Sequence, residues 1–448
     1  MQKKLLTMAV AGALAAPGLA LAQASVEVYG TLYPTFGRVK YDDGFTARSN
    51  SATAVAVPSI SKFDVQAPSS NFGVRGRESI GAGLTAWFQV EQNAPLEREA
   101  TQAVTVASRN SAAGLQGGFG NVFVGQWTTP WADLNSLWAV GQVSVFGPVT
   151  SIIGRRETTG VSPNPASGIT TLANKACTTN LIPPGGSTVP ATGTPECDAV
   201  VGGGGVGHAF WRRASDMIRY TSPTLGGVTF DLMYQVPELK TVTLANGAGL
   251  NAEPSMWSGS LKWSGMGGRA RVGAAYDRHK DFTTIGKNDT GWTLMGGFNF
   301  GVVDVGLAYE RNKYQCGLMG GGANGAAFLP ALCSGDGDIT AKQWAGAISV
   351  PVGLGAIKAF YAKAKDMDGA ITVGETGAKM WGIGYEHRFS KRTSLGVEWA
   401  KIDNNRNAQF TWTGMPPNQT AGGIQGASNT PFFGSDVNWA FVGMTHRF

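Results

Sequence analysis

Along most of this chain side-chain polarity alternates with a period of two, and the connections alternate as well, short and then long. In the run 269–278 (RARVGAAYDR), Ala270, Val272, Ala274 and Tyr276 share one face, while Arg269, Arg271 and Asp277 share the other. Seven short connections, all but the last Gly-rich, lie near 79–83, 117–120, 223–227, 265–268, 300–301, 352–355 and 390–393. Eight long polar ones lie near 41–68, 93–106, 128–209, 237–255, 280–289, 314–340, 366–377 and 404–435. Fifteen connections join sixteen strands and leave both chain ends on the short-turn side. A strand of ~10 residues tilted by ~45° covers about 23 Å, the apolar height of an outer membrane. The pattern predicts an all-β fold: a 16-stranded antiparallel transmembrane β-barrel with short periplasmic turns and long extracellular loops. Closing the sheet removes the unpaired edges that lipid does not tolerate.

Composition narrows the alternatives. The chain has 448 residues, of which 43% are hydrophobic and 64 are Gly, about one in seven. Without a strict Gly repeat this excludes collagen, and the apolar content excludes a disordered chain. After the first two dozen residues no apolar run approaches the ~18–20 residues of a spanning helix. Residues 1–22 read as a cleaved signal peptide: Lys3 and Lys4, an apolar stretch from Leu5 to Leu21, then Ala20-Leu21-Ala22 as the cleavage site. The barrel domain is then 23–448. Losing two Lys lowers the formal charge from +6 to +4, too weak and too spread out for a nucleic-acid footprint. Cys177, Cys197, Cys316 and Cys333 have no metal-type spacing, and two local loop-closing disulfides are expected in an oxidising compartment. No nucleophile elbow, zinc-protease motif or phosphate-binding loop is present, and Asp336 and Asp338 lack the closing Glu of a calcium loop. The expectation is a protein without catalytic residues, cofactor or metal.

Aromatic residues cluster near strand ends, including Tyr29, Tyr33, Trp87, Phe88, Trp257, Trp292, Trp344, Phe360, Tyr361, Trp399 and Trp439; such rings favour the lipid headgroup boundary. The last strand ends in Phe448, with Ala440, Val442, Met444 and His446 on its face. The runs 26–32 (VEVYGTL), 71–78 (NFGVRGRE), 81–91 (GAGLTAWFQVE), 118–126 (GFGNVFVGQ) and 441–448 (FVGMTHRF) together resemble the general diffusion porins of β-proteobacterial outer membranes. The resemblance implies a homotrimer in outer-membrane lipid and lipopolysaccharide, assembled by outer-membrane machinery that reads Phe448. It also implies a third long loop folded inward to narrow the channel. Asn71 and Gln126 stand where that family often has Arg.

Selectivity in such a channel resides at its narrowest section, where charges act between low-dielectric walls. The segment 128–138 (TTPWADLNSLW) has the character of the inward loop: Pro130 breaks the strand, Trp131, Leu134 and Trp138 suit packing, and Asp133 and Asn135 suit the pore. Phe72 and Val74 define the lipid face of the second strand, so Arg75 and Arg77 point inward; Arg38 and Arg109 are the further candidates. The chain is expected to pass ions and small hydrophilic solutes by passive diffusion with a weak anion preference. Two other readings stand beside it: a substrate-specific channel using Trp131 and Trp138 as a sliding track, and an adhesive or structural barrel acting through its loops.

Overall fold

The computed structural model describes residues 25–96 apart from 47 and 53, 106–138, 145–154, 210–236, 255–280, 286–316, 336–412 and 432–448, with short backbone stretches at 242–243 and 249–250. Sixteen antiparallel spans form one closed sheet. The first two are each in two pieces: β1 (Ser25–Leu32, then Thr35–Tyr41) and β2 (Ile60–Gln66, then Asn71–Gly81). There follow β3 (Leu84–Asn93), β4 (Ser111–Gly117), β5 (Gly120–Thr128), β6 (Arg213–Thr221), β7 (Val228–Gln235) and β8 (Ser255–Gly265). The second half comprises β9 (Ala270–Lys280), β10 (Asn288–Asn299), β11 (Asp304–Cys316), β12 (Gly337–Val352), β13 (Gly355–Ala364), β14 (Ala378–Arg388), β15 (Thr393–Asn404) and β16 (Val437–Arg447). Each span pairs with the next, and β16 returns to β1, with Leu32 opposite His446 and Tyr41 opposite Val437. Phe448 completes the seam by exchanging backbone hydrogen bonds with Gly30 at 3.1 and 3.2 Å. A Cβ on Gly30 would meet the Phe448 ring at 2.5 Å, so only glycine leaves room for it.

All seven short connections fall where the sequence places them. The first long segment is shorter than expected, because Ile60–Gln66 extends β2 and pairs with Thr35–Tyr41. Both spans break at one level: Pro34 has no N–H to give the ladder, and the Ser70 hydroxyl accepts the Tyr33 N–H at 2.8 Å.

Along every span one set of alternate residues faces out and stays exposed, among them Val26, Val28, Phe36, Phe63, Trp257, Tyr276, Trp292, Ile383 and Val442. Period two also corrects the aromatic belt. Phe88 and Tyr361 are exposed outside, so their neighbours Trp87 and Phe360 must turn inward. Tyr29, Tyr33 and Trp439 lie on the inner side as well; Trp439 stacks on Trp412 at 5.6 Å. Of the cysteines, Cys316 is disulfide-bonded at the end of β11. Cys177, Cys197, Cys333 and the signal segment 1–22 lie outside the described residues. Asp336 and Asp338 are each held by a lysine, Lys287 at 3.0 Å and Lys313 at 2.6 Å.

Candidate functional site: a lumen with two unlike walls

The inner positions of β9 to β15 are mostly small: Gly273, Ala275, Gly291, Ala308, Ala341, Ala345, Ala362, Gly382 and Ala400. That leaves room for a layer inside the barrel, and the chain after β5 supplies it. Thr129 caps a short helix, α1 (Pro130–Asp133), through the Ala132 N–H at 3.1 Å, and a 3-10 turn follows over Leu134–Leu137. Leu134 and Leu137 sit in the hollow over Gly273, where a Cβ would lie 2.7 and 2.6 Å from them. Phe210 fills the hollow over Gly291, and Phe146 the one over Gly382. Trp131 packs on Phe210 at 5.2 Å, while Phe146 stacks on Phe360 at 5.9 Å. Polar anchors fix the layer's height. Arg271 donates to the Leu137 carbonyl at 3.2 Å, Gln343 to the Ile153 carbonyl at 2.8 Å, and Trp211 to Glu310 at 2.6 Å. Burying these rings against small residues removes them from water at roughly 25 cal/mol per Å².

The inner wall of β1 to β8 is charged. Arg75 pairs with Glu27 at 2.9 Å, and its guanidinium lies over the Tyr29 ring at 4.7 Å. The Tyr29 hydroxyl donates to Glu91 at 2.9 Å, and Arg109 takes the other Glu91 oxygen at 2.5 Å. Beyond it, Asn110 accepts from Arg213 at 2.9 Å and from the Thr128 N–H at 3.1 Å. Thr128 donates to Asp133, whose second oxygen lies 2.7 Å from Arg219. Arg219 also holds Asp231 at 2.7 Å, and Lys262 reaches Asp231 at 3.0 Å. A belt of ion pairs thus crosses the wall from β1 to β8 and takes in α1. Each acid in it has a cation, as does Asp64 through Lys62 at 2.8 Å. The named charges are seven cations, Lys62, Arg75, Arg77, Arg109, Arg213, Arg219 and Lys262, against five acids, Glu27, Asp64, Glu91, Asp133 and Asp231.

A family model described as Gram-negative porin matches residues 7–407. The chain belongs to the Gram-negative porin family. It is an outer-membrane β-barrel channel through which solutes diffuse. This porin is 23% identical over 453 residues to outer membrane porin protein 32 of Delftia acidovorans, with both chains fully covered. Its fold is similar to that of the anion-selective porin from Comamonas acidovorans, with a TM-score of 0.60 and 19% identity over 95% of this chain and all of that one. It is also similar to OmpT of Vibrio cholerae in its trimer form, with a TM-score of 0.53 and 14% identity over 95% of this chain and 99% of that one.

The porin's geometry sorts the residues singled out from its sequence. Arg75 and Arg77 face inward, opposite Glu27 and Ser25 of β1. Arg109 joins them because the Ser108 and Ser111 hydroxyls take backbone N–H groups of β3 and break the regular ladder, which resets the facing. Asp133 lies in the belt. Arg38 does not: it shares the outer face with exposed Phe36, stands opposite Phe63, and donates to Ser61 at 2.9 Å. Asn135 is buried within the inner layer and accepts from the Val149 N–H at 3.5 Å, so it braces the layer instead of lining the pore. Trp131 and Trp138 are also buried, which removes them as a sliding track. Arg219, Asp231 and Lys262 were missed. Each is a charged residue between two outward apolar ones, the same signal that marks Arg75.

Proposed function

We propose that this porin conducts ions and small hydrophilic solutes with a weak preference for anions. One observation carries the reading: on the β1 to β8 wall the acids are each matched to a cation, while Arg77 faces inward without a carboxylate partner among the described residues. The excess is small, so the preference is weak. Neutralised acids add little field of their own, whereas Arg75, half exposed, presents its charge to permeating ions. The residues proposed to set the field are Arg75, Arg77, Arg109, Asp133, Arg219 and Lys262, with the inner layer narrowing the lumen opposite them. The name of the Comamonas protein, an anion-selective porin, agrees with this reading.

The mature chain is proposed to be 23–448, to assemble as a homotrimer in outer-membrane lipid and lipopolysaccharide, and to be recognised for assembly through Phe448. Its four cysteines are proposed to form two loop disulfides. The deciding experiment is single-channel recording of the refolded protein in a planar bilayer under a salt gradient. Ohmic steps in groups of three, with a reversal potential of anionic sign, are expected. A cationic sign would end the preference, and saturable block by one solute would favour a substrate-specific channel.

A further inference from the structure

The inward row at the level of Arg77 carries more than charge. Register sets its members side by side across β2 to β6: Arg77 stands opposite Trp87, Trp87 opposite Gly114, Gly114 opposite Phe123, and Phe123 opposite Arg219. Gly114 lets the two rings meet. A Cβ there would lie 2.5 Å from Phe123, and without one the Trp87 and Phe123 rings close to 5.3 Å. Trp127 stands edge-on to both, 5.9 Å from Trp87 and 5.3 Å from Phe123. The Trp87 indole N–H donates to Asn121 at 2.8 Å, which fixes the orientation of the ring.

An indole on the wall of a water-filled lumen leaves apolar surface in water, and the chain avoids this elsewhere. Among the described residues, Trp131, Trp138, Trp211, Trp412 and Trp439 inside the barrel are buried, whereas Trp87 and Trp127 stay partly open. Arg77 beside them is exposed and has no carboxylate partner among the described residues. The neighbouring acids are held by other cations: Glu27 by Arg75 at 2.9 Å and Glu91 by Arg109. Arg219, at the far end of the row, is buried and already holds two acids. An anion entering the row therefore meets one open guanidinium next to one open aromatic surface. Residues directly opposite on neighbouring antiparallel strands lie about 4.5–5.5 Å apart, a spacing that a carboxylate bonded directly to a ring spans. The guanidinium fork takes a carboxylate through two parallel hydrogen bonds, and an arene packs on an indole by offset or edge-on contact.

We infer that Arg77, Trp87 and Trp127 form a subsite in the lumen for aromatic carboxylates, with the carboxylate on Arg77 and the arene against the two indoles. The inference deepens the diffusion reading and rests on a lumen open to small solutes. It adds a retaining step for one class of anion, and smaller ions and neutral solutes pass beside it.

The test uses the full chain refolded in a non-ionic detergent without aromatic groups, with binding read by saturation-transfer NMR titration. The probes are benzoate, cyclohexanecarboxylate, which keeps the charge and loses the aromatic face, and benzamide, which keeps the ring and loses the charge. Benzoate is expected to bind about fivefold more tightly than cyclohexanecarboxylate, the increment of one aromatic contact, and benzamide more weakly than benzoate. Trp87→Leu should bring benzoate down to the level of cyclohexanecarboxylate and leave the latter unchanged, while Trp87→Phe keeps the preference. Arg77→Gln should weaken both carboxylates about tenfold through loss of the charged hydrogen bonds. Trp292→Leu, which removes an outward indole instead, should change none of these. Equal affinity of the wild-type chain for benzoate and cyclohexanecarboxylate, or no binding of either, would overturn the site without recourse to any variant. A benzoate preference retained in Trp87→Leu that runs as the folded band would overturn it as well. Because binding is read in detergent without transport, its failure leaves the conductance reading untouched, and an unexpected ion preference in the bilayer leaves the subsite untouched.

Discussion

Arg219 holds Asp133 of α1 and Asp231 of β7 at once, each at 2.7 Å, and so ties the inner layer to the barrel wall. The Asp231 side chain has no solvent exposure and that of Arg219 only 4%. Removing Arg219 would leave Asp133 without its cation and Asp231 with Lys262 alone at 3.0 Å, so the cost stays below the ~3–5 kcal/mol of a buried charge left wholly uncompensated. Arg219→Ala is therefore expected to lower the urea midpoint of the folded barrel and to free α1. The paired change Arg219→Met with Asp231→Leu should recover part of the stability, since it removes the two buried charges together and leaves unpaired only Asp133 and Lys262, which are partly exposed. Recovery of the urea midpoint without recovery of the native reversal potential would separate the structural role of this pair from its field.

Arg75 presents the opposite case. Its pair with Glu27 is about half exposed on both sides, and such pairs contribute roughly 0–1 kcal/mol. Arg75→Gln should leave the unfolding midpoint nearly unchanged, yet shift the reversal potential toward cations because the field of Glu27 is then unopposed. The shift should shrink in molar salt, as screening shortens the reach of both charges to about 3 Å. A midpoint change with no shift in reversal potential would assign Arg75 to the wall alone.

The strand count was legible because seven short turns alternate with long connections between sixteen runs of apolar alternation, and because parity is unforgiving. Phe72 and Val74 outside require Arg75 and Arg77 inside. The same rule, applied to Phe36, places Arg38 outside, and applied to Ile218, Phe230 and Leu261 it finds Arg219, Asp231 and Lys262. What alternation does not carry is partnership across the lumen. That Leu134 meets Gly273, or Phe146 meets Gly382, depends on where an 84-residue connection between β5 and β6 travels, and local pattern has no term for that. The facing of Arg77 and Trp87 escaped for a related reason, since each lies on its own well-formed strand and only the register brings them together.

The glycine hollows can be filled one at a time. At Gly382 a Cβ would meet the Phe146 ring at 2.4 Å and the Trp399 carbonyl at 2.6 Å, so neither the ring nor the wall has slack. Gly382→Val is expected to cost about 1–3 kcal/mol through overpacking and to push Phe146 off Phe360. Displacing the layer toward the charged wall should reduce single-channel conductance. Gly396 makes a good control, since a Cβ there meets nothing closer than 3.6 Å. Equal conductance in wild type and Gly382→Val would show that the layer does not set the pore's width.

Outside the membrane span, the residue just before β16 carries a carboxylate whose proton is held more tightly than usual. Burial raises the Asp436 proton affinity, the Asp403 charge raises it further, and Lys401, 3.5 Å away, only partly offsets both. An acid with a folded-state pKa above its unfolded value stabilises the fold below the unfolded pKa, and that contribution is lost as pH climbs through the raised value. The barrel should therefore become more resistant to unfolding as pH falls through the upper carboxylate range, before other acids are protonated at lower pH and reverse the trend. Asp436→Asn keeps an oxygen able to accept the Asn404 N–H, now at 3.1 Å from the carboxylate, and removes the repulsion with Asp403. The variant is expected to match, at neutral pH, the stability that wild type reaches only in mild acid, and to lose that part of the pH dependence. The measurement is the heat-unfolding midpoint of the folded band on semi-native gels across pH. A wild-type midpoint that falls monotonically from neutral pH downward, in step with the variant's, would show that Asp436 contributes nothing to it.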